Sequence, residues 1–218
     1  MKIVLSSLLI LGSIAAQAAV VTNVVTKELP ASEILRIVVD VPDAEVTIRN
    51  SSEKMLRIIG TYSKNHRGKE SKEVQAIVDA ASLKIETTGQ RAIISRDLTN
   101  EVGSYLARRS IDLKLEILAP SHVNVEVKQS SGHVKIDGTF RDIEVTMNRG
   151  DVSVRTAKRN VRELTASARM GKVITNIGDR TVSREGMLMG STYFINDGGA
   201  SAMKIAVRFG TVDIELLP

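Results

Sequence analysis

The sequence predicts a mainly-β protein built as a β-solenoid, a stack of parallel, β-helix-like coils. Three observations point there: apolar and polar residues alternate along most of the chain, a frame of apolar positions recurs around a glycine, and one short segment alone has helical spacing. Alternation is the signature of a strand with one buried face. A repeat near 20 residues is the length a strand, a turn and a second strand require, and such a unit buries its apolar face only by stacking on neighbours.

The alternation is clearest at Ile111, Leu113, Leu115 and Ile117, with Asp112, Lys114 and Glu116 between them, and it recurs at Val123, Val125 and Val127. Further strands are predicted at Leu35 to Val41, Val46 to Arg49, Leu56 to Tyr62, Leu83 to Thr87 and Ala92 to Ser95; Pro42 and Pro120 close two of the runs. The exception is residues 69–82, where Val74, Ile77, Val78 and Ala81 fall on one face of an amphipathic helix. Its polar face carries both signs of charge and no aromatic flanks it, so the helix is expected to pack across the sheet or plug one end of the stack rather than lie on a membrane. Residues 99–109 read as a loop or short helix, with Arg108-Arg109 solvated.

The repeat is Val125-x-Val127…Gly132-x-Val134-x-Ile136, then Ile143-x-Val145…Gly150-x-Val152-x-Val154, then Leu164-x-Ala166…Gly171-x-Val173-x-Thr175, then Met203-x-Ile205…Gly210-x-Val212-x-Ile214. A glycine-free echo lies at Ile37, Val39, Ala44, Val46 and Ile48. The glycines are 18, 21 and 39 residues apart, so coils of about 18–21 residues are expected, with one degenerate copy between Gly186 and Phe194. Gly132, Gly150, Gly171 and Gly210 are expected where the chain turns with positive φ or where backbones approach closely. A plain antiparallel sandwich would place glycines at turns too, but would not require a fixed frame on both sides of them.

The run from Leu113 through Pro120 to Ser130-Ser131-Gly132-His133-Val134-Lys135-Ile136, then Arg149-Gly150-Asp151-Val152-Ser153-Val154 and the late Gly210-Thr-Val212-Asp-Ile214, resembles the bacterial adhesin-like domain family of unknown function. The likeness extends over roughly residues 34–216, and departs from the family pattern at Gly132-His133 and Gly171-Lys172, where an acidic residue is common. The resemblance implies a β-helix-like fold in an exported or envelope-associated protein and brings no catalytic residues with it.

The N-terminus agrees with export. Lys2, the apolar run from Ile3 to Ile14 and the small-x-small Ala16-Gln17-Ala18 predict a signal peptide over residues 1–19. The expected mature domain, 20–218, divides into irregular strands with the helix (20–118) and regular coils (119–218). It has no cysteine for a lipid anchor or a disulfide, and no later segment apolar enough to cross a membrane. Periplasm or cell surface is the expected location. The net charge of +5 falls to about +4 without Lys2, a mild basic excess. With no Trp, three Tyr and three Phe, the chain lacks stacking platforms for nucleic acid, which is not an expected partner.

The residues present argue against catalysis. His66, His122 and His133 are not at ligand spacing; His122 and His133 could meet across adjacent strands, but they read as a pair of surface histidines. In Ser131-Gly132-His133 the serine and histidine point apart, Asp151 and Asp213 follow their glycines at different offsets, and Asn196-Asp197-Gly198-Gly199 reads as a turn with one acid, a poor calcium site. Neither cofactor nor metal is expected. The candidate binding surface is the outer face: Lys128, His133, Lys135, Asp151, Ser153, Arg155, Lys172 and Asn176, with Arg208 beside it. The expected function is a non-enzymatic, adhesin-like binding or scaffold module whose polar, slightly basic ladders meet cell-envelope glycan, lipopolysaccharide or another envelope protein. The alternatives are a polysaccharide hydrolase or lyase on a β-helix, and a subunit that self-assembles through an open edge at its C-terminal strand.

Overall fold

A computed structural model describes residues 22–64, 72–97, 111–177, 180–186, 190–196 and 198–218. The expected signal peptide, the 99–109 segment with Arg108-Arg109, and His66 lie outside them. The described chain is mainly β, with one α-helix: an open, β-solenoid-like sheet of thirteen strands.

Four long strands organise it: β8 (Asn124–Asp137), β9 (Asp142–Ala157), β10 (Val161–Ile177) and β13 (Ser201–Leu217). Each contains one repeat glycine, and each glycine has positive φ, from 128° at Gly132 to 149° at Gly171. Buried side chains fall seven, five and three residues before the glycine, then two and four after it. The alternation therefore loses one step at the glycine, and the strand turns a corner there into an entry arm and an exit arm. β2 (Arg36–Asp40) pairs with the entry arm of β8 and β3 (Asp43–Asn50) with its exit arm, so the glycine-free echo is the first layer of the same stack. Beyond β2 lie β6 (Arg91–Asp97) and β5 (Ser82–Thr88); beyond β3 lie β7 (Ile111–Ala119), β4 (Met55–Lys64) and β1 (Thr22–Pro30).

The repeat positions stack in register. Ile37, Val125, Ile143, Met203 and Leu164 form one buried column, and Val46, Val134, Val152, Val212 and Val173 form another across the corner. Both arms feed a single apolar core. The corner column is Ala44, Gly132, Gly150, Gly210, Gly171. A Cβ on each glycine would stand 2.0, 1.9, 1.8 and 1.8 Å, in that order, from the backbone carbonyl oxygen of the layer before it. No side chain fits.

The stacking order differs from chain order. β13 inserts between β9 and β10, so the last repeat lies inside the stack and the C-terminal strand is not an open edge. The expected degenerate copy near Gly186 to Phe194 is instead a pair of short strands, β11 (Arg180–Gly186) and β12 (Gly190–Ile195), running antiparallel on the exit and entry arms of β10. This excursion accounts for the doubled glycine spacing: the chain caps one end of the stack before returning to fill a slot further in.

The helix α1 spans Lys72–Ala80, inside the predicted range, and buries Val74, Ile77 and Val78, with Ala81 just beyond, against β1 and β4. Its last carbonyls meet the Asn23 amide, whose Nδ2 lies 2.9 Å from the Val78 oxygen and 3.1 Å from that of Ala81. That contact satisfies acceptors that a helix end leaves without intrahelical partners.

Two stability predictions follow from the corner and the core. Gly150→Ala should cost about 3 kcal/mol or more in urea unfolding, because neither the φ nor the facing carbonyl can yield. Gly89→Ala, at φ 56° with nothing within 4 Å, should cost only about 1 kcal/mol. Equal costs would dismiss the close approach as the constraint. At Thr175, fully buried below Ile214, the hydroxyl has no hydrogen-bond partner among the described residues. Thr175→Val should therefore raise stability by about 0.5–1.5 kcal/mol in the same assay.

Candidate functional site

The stack places the outer side chains of the exit arm in three rows. The first is Lys114, Glu45, His133, Asp151, Thr211, Lys172; the second is Glu116, Thr47, Lys135, Ser153, Asp213, Ile174; the third is Leu118, Arg49, Asp137, Arg155, Glu215, Asn176. Seven of the eight expected surface residues are here. Lys128 is not: it precedes the corner and belongs to the entry arm.

The rows are charge-balanced rather than basic. Lys114 pairs with Glu45 at 3.0 Å, Arg49 with Glu116 at 2.8 Å, Arg155 with Glu215 at 3.2 Å, and His133 Nδ1 lies 3.5 Å from Asp151. Glu45 and Glu116, absent from the expected surface, are matched by Lys114 and Arg49, also absent from it, and Glu215, Asp137 and Asp213 cancel its positive excess. The signal for Glu45 was available in the echo, since it follows Ala44 as His133 follows Gly132. Each pair is largely exposed, so each contributes roughly 0–1 kcal/mol. Asp151 is also structural: its Oδ1 accepts the Thr211 backbone N–H at 3.0 Å, next to the corner glycine of β13.

The histidines do not meet. His122 places Nε2 3.2 Å from the Ala31 carbonyl oxygen, whereas His133 faces Asp151. Ser131 donates to Asp43, away from His133. Asp151 and Asp213 stand in different rows, as their offsets require. Among the described residues no group of three His, Cys, Asp or Glu side chains is arranged to hold a metal ion, and no helix is long and apolar enough to cross a membrane.

The entry arm is shaped differently. Its outer rows run Arg91, Arg36, Asn124, Asp142, Ala202, Glu163, Ile195 and Ile93, Val38, Glu126, Glu144, Lys204, Thr165, Tyr193. Ala202 lowers the middle of the first row, and an open trough of about 630 Å³ lies there, flanked by Arg36, Asp142, Glu144, Glu163 and Lys204. At the sheet edge the rows end on Tyr193 and Ile195, 61% and 55% exposed. Asp142 Oδ1 accepts the Ala202 backbone N–H at 3.0 Å, so this carboxylate is tied to the strand pairing.

Glu126 departs from simple alternation, as does Val38 next to it in the row. Glu126 occupies an outward position, yet its side chain is only 8% exposed, held 3.0 Å from Arg36 Nε and 2.7 Å from Lys128 Nζ. Arg36 also reaches Glu144 at 3.8 Å. Burial alone would push the Glu126 carboxyl up; the Lys128 hydrogen bond and the charges of Arg36, Lys128 and Arg91 outweigh it and hold the carboxyl below its ordinary range. A carboxyl depressed in the folded state contributes stability above its unfolded pKa and loses it as pH falls through the folded value. Glu126→Gln should therefore cost about 1–2 kcal/mol at neutral pH, and should flatten the acid limb of the stability–pH curve. An unchanged acid limb would show that this cluster carries no linkage.

No curated protein matches the chain. Among solved structures it is similar to a "putative cell adhesion protein" from Clostridium sporogenes, with 12% identity, a TM-score of 0.47, and coverage of 89% of this chain and 99% of that one. It is also similar to a "putative adhesin" from Bacteroides fragilis, with 11% identity, a TM-score of 0.32, and coverage of 88% and 97%. A third is a "putative lipid binding protein" from Parabacteroides distasonis, with 9% identity, a TM-score of 0.25, and coverage of 90% and 97%. The Toastrack DUF4097 family model matches residues 34–186, from the glycine-free first layer through the outermost bent strand and the first capping strand, and the chain belongs to that family.

Proposed function

We propose that the protein is a non-enzymatic, exported envelope module that binds an uncharged or weakly charged glycan chain, laid across the strands of the entry arm. The observation that carries this reading is the trough itself: a row of donors and acceptors (Glu144, Lys204, Thr165) running perpendicular to the strands and ending on an exposed Tyr193, with Arg36 beside it in the neighbouring row. An aromatic with an apolar face and a polar tip suits a sugar ring, and alternating cationic and anionic groups suit its hydroxyls. The exit arm supports the choice by contrast. Its cations are matched by carboxylates, so it offers no excess of charge to an anionic polymer such as lipopolysaccharide. Binding is favoured over hydrolysis because, of the three carboxylates flanking the trough, Asp142 is tied to backbone and Glu144 stands beside Arg36, which leaves Glu163 without an equally free carboxylate facing it. The module is read as one domain over residues 20–218, delivered by the signal peptide to the periplasm or cell surface.

The test is co-sedimentation with purified peptidoglycan sacculi and isothermal titration with soluble glycan fragments. Lys204→Ala with Glu144→Ala should weaken binding about tenfold, while Lys135→Ala on the exit arm should leave it unchanged. Release of new reducing ends would turn the reading to an enzyme. Absence of binding, or equal losses from both arms, would overturn the trough as the site.

A further inference from the structure

Among the described residues the sheet has four outer strands: β1 and β11 at the ends of the exit arm, β5 and β12 at the ends of the entry arm. Exposed strand edges are templates for pairing, and natural proteins blunt them with charge or proline. Three of these strands are blunted. β1 carries Lys27, Glu28 and Pro30; β5 carries Lys84 and Glu86; β11 carries Arg180, Arg184 and Glu185. β12, Gly190-Ser-Thr-Tyr-Phe-Ile195, has neither charge nor proline. Among the described strands it pairs only with β10, which leaves its other edge unoccupied. It is also apolar on both faces: Tyr193 and Ile195 stand exposed outside, and on the core side Phe194 packs on the apolar cluster while remaining only partly buried.

We infer that β12 is a strand-addition edge occupied by β12 of a second copy of this chain, running antiparallel about a two-fold axis through Tyr193. The register is self-complementary. Tyr193 faces Tyr193, Ser191 faces Ile195 and Thr192 faces Phe194, so each outer residue meets an outer one and no charge meets a like charge. Among the described residues the nearest charged side chain on this face is Glu163, one strand inward of Ile195, and Ile195 in turn faces the uncharged Ser191 of the other copy across the junction. Aromatic pairing at the axis and cover for Phe194 supply the apolar contact. The entry-arm rows then continue from one copy into the next. The inference goes beyond the glycan reading and stands whether or not the trough binds one, because it concerns the free protein. A six-residue edge is short, so the dimer is expected to dissociate on dilution.

The experiment uses the mature chain without ligand. Sedimentation velocity should show a monomer–dimer equilibrium, and Tyr193→Lys, which sets two like charges on the axis, should weaken it about tenfold or more. Ile195→Lys provides a second disruption if the first variant folds poorly. Because the chain has no cysteine, Tyr193→Cys should give a disulfide-linked dimer under mild oxidation, whereas Val24→Cys, 59% exposed on the opposite outer strand, should not. A wild type that stays monomeric at all concentrations, a dimer indifferent to both lysines, or equal crosslinking at Val24 would overturn the inference. Protection of β12 amides only on addition of an extended foreign peptide would overturn it too, by assigning the edge to another protein's strand.

Discussion

The close approach of backbones at the corner governs this architecture. Strands stack about 4.8 Å apart, and where a strand turns sharply its corner atoms face the carbonyl of the layer before. Here that carbonyl lies within 2.0 Å of where every glycine Cβ would stand. A side chain in any layer would force the next apart, and the registered columns of Val and Ile on both sides would separate with it. The first layer shows why Ala44 escapes. Beyond it the stack continues as two unconnected strands, β6 on the entry arm and β7 on the exit arm, so no continuous corner presses on its Cβ. The same holds past Gly171, where β11 and β12 are again separate. Continuous bent strands occupy the middle, and paired short strands close both ends.

This constraint is why so much of the fold was legible in the chain. Glycine at the corner, apolar residues at fixed offsets and an echo with Ala44 in the glycine position together specify the register, because a slip of one residue would turn Val152 and Val154 outward. The helix was legible for a similar reason: four apolar residues at helical spacing interrupt a period of two. The insertion of β13 was not legible. Its frame matches those of β8, β9 and β10, and every layer presents the same columns, so nothing local distinguishes a slot inside the stack from one at its end. The antiparallel course of β11 and β12 was hidden similarly, since alternation does not reveal strand direction.

The candidate site was less legible than the fold, and the reason is again the stacking. Outer residues acquire their partners from layers distant in sequence. Lys114 meets Glu45, and Arg155 meets Glu215, across gaps that no local motif spans. A surface read from single glycine repeats therefore appears basic, because the acid that meets each cation lies on another layer, Glu215 of β13 against Arg155 of β9. Glu126 shows the converse. Alternation assigns it to solvent, yet Arg36 from the echo layer and Lys128 from its own strand enclose it. Its low exposure is a property of the assembled layers, not of its place in the strand.

The two arms share one core but carry separate chemistries, and the period of two permits this. Inner positions are bound by the registered columns, whereas outer positions need only avoid disturbing the pairing. The exit arm has filled them with matched charges that hold their own partners. The entry arm keeps Ala202 where a long side chain would close the trough, and commits Asp142 Oδ1 to the backbone. The larger open trough thus lies on the arm whose outer strand ends uncharged, while the exit arm holds a smaller depression of about 460 Å³ between its matched charges. A polymer running along the rows crosses β8, β9, β13 and β10 in spatial order, contacting residues from four distant parts of the chain. Recognition on such a fold is a property of the stack, and it is available only while the glycine corners keep the layers in register.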